Sequence, residues 1–413
     1  MSGAKVDSSM PTHFEYILRP MPLREFISES WGQRFVHISG EPNKFEGLIS
    51  WADLSAILEQ PGLKPPRLRL VKRGQGIGPN NYVEDSEWND SRIRSADLLR
   101  ELDSGATLIL NQCDDFSRPV RQLAASVERM FRCDVIVNLY AGWRSENGFT
   151  LHWDPQDTCI VQVSGRKRWT VYRPTRNWPL KYDVAENIVP DGEPYWDQIV
   201  NQGDILYIPR GWWHVAVPLE EPTLHLTVTI RRYNFIDMLH WFVESLKAHE
   251  VCRLDIAAET QAQKTAMETI SAIVQSEWCQ PLIERFQEAK DGARRVRSSV
   301  HLPVLPTARC HQLTDQSLLR LNSSRPLHFH VVDGARVRFD ANNRTWEFPQ
   351  GMRRALEQLN DFEAHSLGEL FTSGNDGVDE GLNELIKAGL VQVHDPAKSD
   401  WASNRTIRQP AVL

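Results

Sequence analysis

Residues 149–172, FTLHWDPQDTCIVQVSGRKRWTVY, decide how the chain folds and where its chemistry sits. The stretch opens on His152-Trp153-Asp154 and runs into β-forming residues, among them Thr158, Ile160, Val161 and Val163. On an extended strand, residues two apart share a face, so His152 and Asp154 aim at one point while Trp153 turns away. An imidazole and a carboxylate are two of the three protein ligands of a facial triad, which holds non-haem Fe(II) and leaves coordination positions open. The third ligand should be another histidine. Residues 203–214, GDILYIPRGWWH, offer His214 after a short apolar strand and a Pro209-Arg210-Gly211 turn. Sheet pairing, not sequence proximity, has to bring it to the pair. Any one of the 13 histidines is more often a core or surface residue than a ligand. The i, i+2 spacing and the turn ahead of His214 set these apart.

Lys167 comes next. Counting by twos, Lys167, Trp169 and Val171 share a face, and Gly165 marks a turn that brings Lys167 back towards the metal-bearing strand. Two readings stand. A buried cation beside an open metal site suits an acidic co-substrate that chelates at one end and forms a salt bridge at the other. Alternatively Arg166, Lys167 and Arg168 form a solvated basic hairpin. Asn138 and Tyr140 share a face of the strand DVIVNLYAG (134–142), where a buried Asn and Tyr more often satisfy backbone groups.

Working outward, short β-segments continue to about residue 230 (CIVQV, RWTVY, DILYIP, HVAVP, LHLTVTI), punctuated by Gly and Pro. This pattern predicts a double-sheet jelly-roll barrel with a site in its mouth. Upstream, the sequence predicts a helix then a strand over 21–38 and a helix over 51–60. A strand over 67–72, a long loop over 73–92 and a helix with a Ser95 N-cap follow. Trp143, Arg144, Trp212 and Trp213 belong at strand ends, either rimming the mouth or packing the barrel end. From about 232 the period turns helical to about 290. Residues 291–326 read as a connection, and 327–413 alternate strands and helices in an order that suits a small winged-helix-like domain.

A chain of 413 residues suggests two or three domains. The net charge of −7 gives no general attraction for nucleic acid or anionic membranes. Six cysteines without CxxC spacing read as reduced thiols, mostly buried. No apolar run approaches the ~18 residues of a membrane span, and residues 1–12 read as a loose leader without a signal core. A cytoplasmic protein is expected.

The run NLYAG…GFTLHWDPQD…VQVSGRKRWTVY…GDILYIPRGWWH…LHLTVTI resembles the JmjC-type cupin oxygenases, and within them it is most similar to the ribosomal-oxygenase branch. That resemblance implies an α+β chain. It would consist of a double-stranded β-helix (jelly-roll, cupin) barrel over 1–231 with its core at about 105–231, a helical dimerisation region over 232–300, a linker over 301–326 and a winged-helix-like domain over 327–413. It implies Fe(II) on His152, Asp154 and His214. It makes Lys167 the partner of the distal carboxylate of 2-oxoglutarate, with Asn138 and Tyr140 as the family's Asn-x-Tyr pair. Thr229 falls where relatives carry a Ser hydroxyl. It further implies O₂ as oxidant, a homodimer, and hydroxylation of a protein or peptide side chain, Arg or His of a ribosomal protein. The alternatives are the same chemistry on a small molecule or natural-product peptide, methyl-lysine demethylation, or a non-catalytic cupin that only binds. Mn, Ni or Zn fit the same ligands. Residues 361–400 carry nine Asp/Glu against Lys387 and Lys398, which argues against a DNA-binding face.

Overall fold

Alternation along the strands of the first half sends neighbouring side chains into two different cores. In Asp157–Ser164, Cys159 and Val161 join Leu139, Leu226, Val228, Leu123 and Phe14 in one cluster. Ile160 instead joins Trp169, Val171, Leu206 and Ile208 in another. A strand buried on both faces this way lies in the middle of a layered domain.

The structure, a computed structural model, describes residues 13–84, 91–183, 189–278, 281–297, 313–371 and 378–394. The expected leader over 1–12 and residues 301–312 of the expected linker lie outside the described residues. The chain divides into two compact units, Met1–Arg232 and Tyr233–Leu413.

In the first unit, eight strands form one antiparallel sheet. Its order is Val36–Ile38, Ile205–Ile208, Asp157–Ser164, Thr223–Arg231, Asp134–Gly142, Thr107–Leu110, Leu68–Lys72 and Gln75–Ile77. A second sheet of four runs Trp196–Val200, Lys167–Tyr172, Trp213–Pro218 and His152–Trp153. Spatial neighbours are rarely sequence neighbours, and side chains of both sheets line one cavity. Helix Trp51–Leu58 starts on a capping box between Ser50 and Asp53.

Three local expectations need correction. Ser95 is the first residue of helix Ser95–Asp103 and not its N-cap; Arg94 holds that position and pairs with Asp97 in the first turn at 2.5 Å. The stretch 73–92 is not one long loop. Arg73 and Gly74 both take positive φ (50° and 80°), a tight turn that folds Gln75–Ile77 back onto Leu68–Lys72. Strand Trp196–Val200, which the sequence pattern did not announce, pairs with Lys167–Tyr172 at the edge of the smaller sheet.

The second unit begins with helices Phe235–Ser245, Thr260–Glu277 and Leu282–Ala293. Two three-stranded sheets follow. Arg336–Ala341 is central to one, and Leu318–Leu321 to the other, flanked by His365–Ser366 and Val391–His394. Its core is Leu319, Phe339, Trp346, Met352, Leu356, Leu385 and their neighbours. No helix among the described residues is long and apolar enough to cross a membrane.

Candidate metal centre

Strand His152–Trp153 is short, yet it pairs antiparallel with Trp213–Pro218 and sets His152 directly opposite His214. Opposed residues of an antiparallel pair project to one face, and the two imidazoles approach to 4.5 Å between centroids. Asp154 lies just past the strand. Its carbonyl accepts from the Gly211 N–H at 2.9 Å, and its Oδ2 lies 3.6 Å from His214 Nε2. One ligand atom each from His152, Asp154 and His214 falls within 4.8 Å of the others, close enough to share one ion.

Both rings are held in the tautomer a metal ligand needs. His152 Nδ1 lies 2.7 Å from the Thr150 carbonyl, and His214 Nδ1 lies 3.1 Å from the Trp212 carbonyl. A carbonyl only accepts, so each Nδ1 carries a proton, which leaves Nε2 as the ligand atom of each ring. Burial, reinforced by His152 and opposed by Asp154, pulls the His214 pKa down to about 4, so the ring is neutral at physiological pH.

The turn that delivers His214 is braced from below. The buried Asp157 accepts from the Tyr207 hydroxyl at 2.7 Å and the Arg210 N–H at 2.9 Å, and pairs with Arg232 at 3.3 Å. Gly211 sits at φ +85°, where a Cβ would lie 2.6 Å from the Pro179 ring. Only glycine fits both the turn and the space.

The same alternation settles the orientation of the basic hairpin. Arg166 and Arg168 point outward and pair with Glu221 and Asp197 at 2.8 to 3.0 Å. Lys167 points inward and is 3% exposed; burial lowers its pKa to about 7. Gly165, at φ +64°, makes this possible, since a Cβ there would meet the Pro222 carbonyl oxygen at 2.1 Å. Lys167 and the three candidate ligands line one cavity of about 210 Å³.

Tyr140 lines that cavity too, and burial followed by the nearby Asp154 pushes its pKa up to about 12. Asn138 does not line it: its Oδ1 accepts from the Gln112 N–H at 2.9 Å and its side chain hydrogen-bonds Tyr140. Thr229 continues the inward row of strand Thr223–Arg231 but is not among the lining residues, whereas Thr227 is. Of the four residues expected at strand ends, Trp212 and Trp213 are buried, and Trp143 packs against Trp51. Arg144 pairs with Asp103 and Glu220.

Sequence reasoning missed His225, Thr158 and Thr227 and put Trp169 on the face of Lys167 without giving it a role; all four lie on the cavity wall. The signal was period two: Trp169 lies two residues beyond Lys167, and His225 lies two before Thr227. Trp169 Nε1 and Thr158 Oγ1 are buried there with no hydrogen-bond partner among the described residues. A polar atom left so is satisfied only by something that enters the cavity.

Residues 112–238 match the JmjC domain family. The chain is 29% identical over 229 residues to human ribosomal oxygenase 1, covering 54% of this chain and 34% of that protein. It is 34% identical over 235 residues to the bifunctional lysine-specific demethylase and histidyl-hydroxylase NO66 of Drosophila yakuba, covering 54% and 33%. The chain therefore spans well under half the length of these curated relatives. A solved structure of the Escherichia coli ribosomal oxygenase YcfD superposes with a TM-score of 0.59 at 18% identity, covering 91% of this chain and 98% of that one. Another of the same protein, in complex with cobalt and 2-oxoglutarate, gives 0.56 at 19%, covering 91% and 99%. The fold is the JmjC cupin fold, and the chain carries a JmjC domain over residues 112–238.

Proposed function

We propose that the protein is an Fe(II)- and 2-oxoglutarate-dependent oxygenase that hydroxylates a protein or peptide side chain, Arg or His of a ribosomal protein. One observation carries this reading. A buried lysine shares a cavity with a His-Asp-His cluster whose ligand atoms lie within 4.8 Å of one another, so an anion and a divalent ion can be held together. The cavity also fits the co-substrate chemically. Trp169 Nε1 and Thr158 Oγ1 lack partners among the described residues, and a keto acid brings acceptor oxygens for both.

His152, Asp154 and His214 would hold the iron; Lys167 and Tyr140 would hold the distal carboxylate, with Asn138 orienting Tyr140 and Thr229 behind them. When bound, iron with 2-oxoglutarate and O₂ supplies the oxidising power to place a hydroxyl on an unactivated C–H bond. The protein's own share is to present two imidazole Nε2 atoms, offset part of the ion's charge with Asp154, and anchor the acid. Asp154 is more open to solvent than His214, its side chain 37% exposed against 7%. The substrate side chain enters from that side. Ribosomal oxygenase 1 and the histidyl-hydroxylase NO66 support a protein substrate by their names, and the cobalt and 2-oxoglutarate complex of YcfD supports the co-substrate.

The same reading divides the chain into the barrel domain 1–231, a dimerisation region 232–300 and a winged-helix-like domain, in a cytoplasmic homodimer; the expected boundary of that last domain at 327, after a linker over 301–326, moves upstream, because Leu318–Leu321 is the central strand of one of its sheets and buries Leu319 and Leu321 in its core. Exposed apolar residues on helix Phe235–Ser245 support the dimer.

The test has two parts. Purified protein with Fe(II) should convert 2-oxoglutarate to succinate, and the His152→Ala variant should not. Absence of turnover in both would favour a barrel that only binds. Mass spectrometry of ribosomal proteins from cells with and without the gene should then reveal one residue lacking an oxygen. An unchanged set moves the substrate to another peptide or a small molecule.

A further inference from the structure

Beside Lys167 stands a histidine that takes no part in the metal cluster. His225 is the direct cross-strand partner of Tyr140 in the larger sheet. Its ring lies parallel to the Tyr140 ring, with centroids 5.0 Å apart and 4° between planes. From the smaller sheet, Trp169 meets it edge-on at 5.6 Å and 74°. The two sheets thus fix this imidazole from two directions, and it is 3% exposed. Its Nδ1 lies 3.3 Å from Lys167 Nζ. The ammonium form of Lys167 only donates, so against it Nδ1 is the acceptor and carries no proton. Burial, followed by the charge of Lys167, holds the ring neutral, well below the ordinary histidine range.

We propose that His225 is a positioning residue for the co-substrate. It accepts one N–H of the Lys167 ammonium and so aims the other two into the cavity, at the distal carboxylate of the keto acid. The inference rests on the functional reading above. A lysine side chain is long and loses much rotamer freedom when ordered. Where the protein has already ordered it, the ligand does not bear that cost and binds more tightly. Tyr140 and Trp169 supply the rigidity, and His225 transmits it to the amine.

The test compares three variants in the full chain loaded with Mn(II), titrating 2-oxoglutarate by isothermal calorimetry. His225→Phe keeps the stacked ring and removes the acceptor. His225→Asn sets an amide oxygen near the position of Nδ1, and His225→Gln moves it away. The Phe variant should weaken 2-oxoglutarate binding about tenfold, the scale of one charge-assisted hydrogen bond, with Mn(II) affinity unchanged. The Asn variant should recover most of the loss. In succinate formation the KM should rise while kcat stays close to the parent's. Parent-like affinity in the Phe variant overturns the inference, as does an Asn variant as weak as the Phe variant, because ring packing alone would then explain the site. Should the Phe variant not fold, the Asn variant must still bind several-fold more tightly than the Gln variant; equal affinities overturn it. A parent that binds Mn(II) but no 2-oxoglutarate overturns the functional reading itself, and that failure is visible before any variant is made.

Discussion

Lys167 carries a consequence that pH can expose. Its neighbours Arg166 and Arg168 are ordinary surface cations in ion pairs, while burial brings Lys167 itself to a pKa of about 7. A carboxylate needs the ammonium form. Below pH 7 the empty site already holds the proton, and 2-oxoglutarate binds without proton exchange. Above pH 7 the amine is mostly neutral, so binding takes up a proton and affinity falls by about tenfold per pH unit. Calorimetry in buffers of different ionisation enthalpy should therefore record proton uptake near zero at pH 6 and approaching one at pH 8.5. No uptake at either pH would mean that the amine is not the anchor. The contrast along Arg166-Lys167-Arg168 also marks a limit of local reading: period two allowed an inward Lys167, but local composition favoured the solvated hairpin. Only pairing to Trp196–Val200 on one side and Trp213–Pro218 on the other decided it.

At the scale of the element, the hairpin through Gly165 shows which features were legible in the sequence and which were not. The triad was legible because its two rules are local: residues two apart share a strand face, and a Pro-Arg-Gly turn ends one strand and starts the next. His225 was not, although it obeys period two, and Trp169 was read only as sharing a face with Lys167, because their importance comes from register between strands distant in sequence. His225 meets Tyr140 across 85 residues, and no spacing rule reaches that far. Strand Trp196–Val200 was missed for a related reason: at a sheet edge its pattern is half exposed and weakly alternating. Gly165 joins the legible and hidden parts, since its positive φ lets Lys167 turn inward. Gly165→Ala should cost about 2 kcal/mol or more, from the left-handed backbone and from the Pro222 carbonyl at 2.1 Å. In urea unfolding, the midpoint should fall with the slope unchanged. The affinity for 2-oxoglutarate should fall as well, because Lys167 lies two residues on. An unchanged midpoint would show that the turn relaxes freely, leaving the inward lysine without this support.

For the molecule as a whole, the second unit raises a question its own packing does not answer. On helix Phe235–Ser245, Phe235, Ile236, Leu239 and Val243 fall within about 100° of one face by the 3.6-residue period. Phe235 is 71% exposed and Val243 60%. Helix Thr260–Glu277 runs 18 residues without one buried side chain among them, and Met267 on it is exposed. Helices owe most of their stability to packing of an apolar face, so a long helix without such packing is marginal in water. A second copy of the chain, covering both helices, removes the difficulty and needs no other partner. On that argument Val243→Glu, which sets a carboxylate on the apolar face in each protomer, should shift the chain from dimer to monomer at micromolar concentration. Light scattering reads the mass directly. The affinity for 2-oxoglutarate should stay at the parent's value, because the cavity is lined by residues between Thr107 and Thr227 of the first unit. A parent that is already monomeric would end the dimer reading, and the exposed face would then have to meet a partner other than itself.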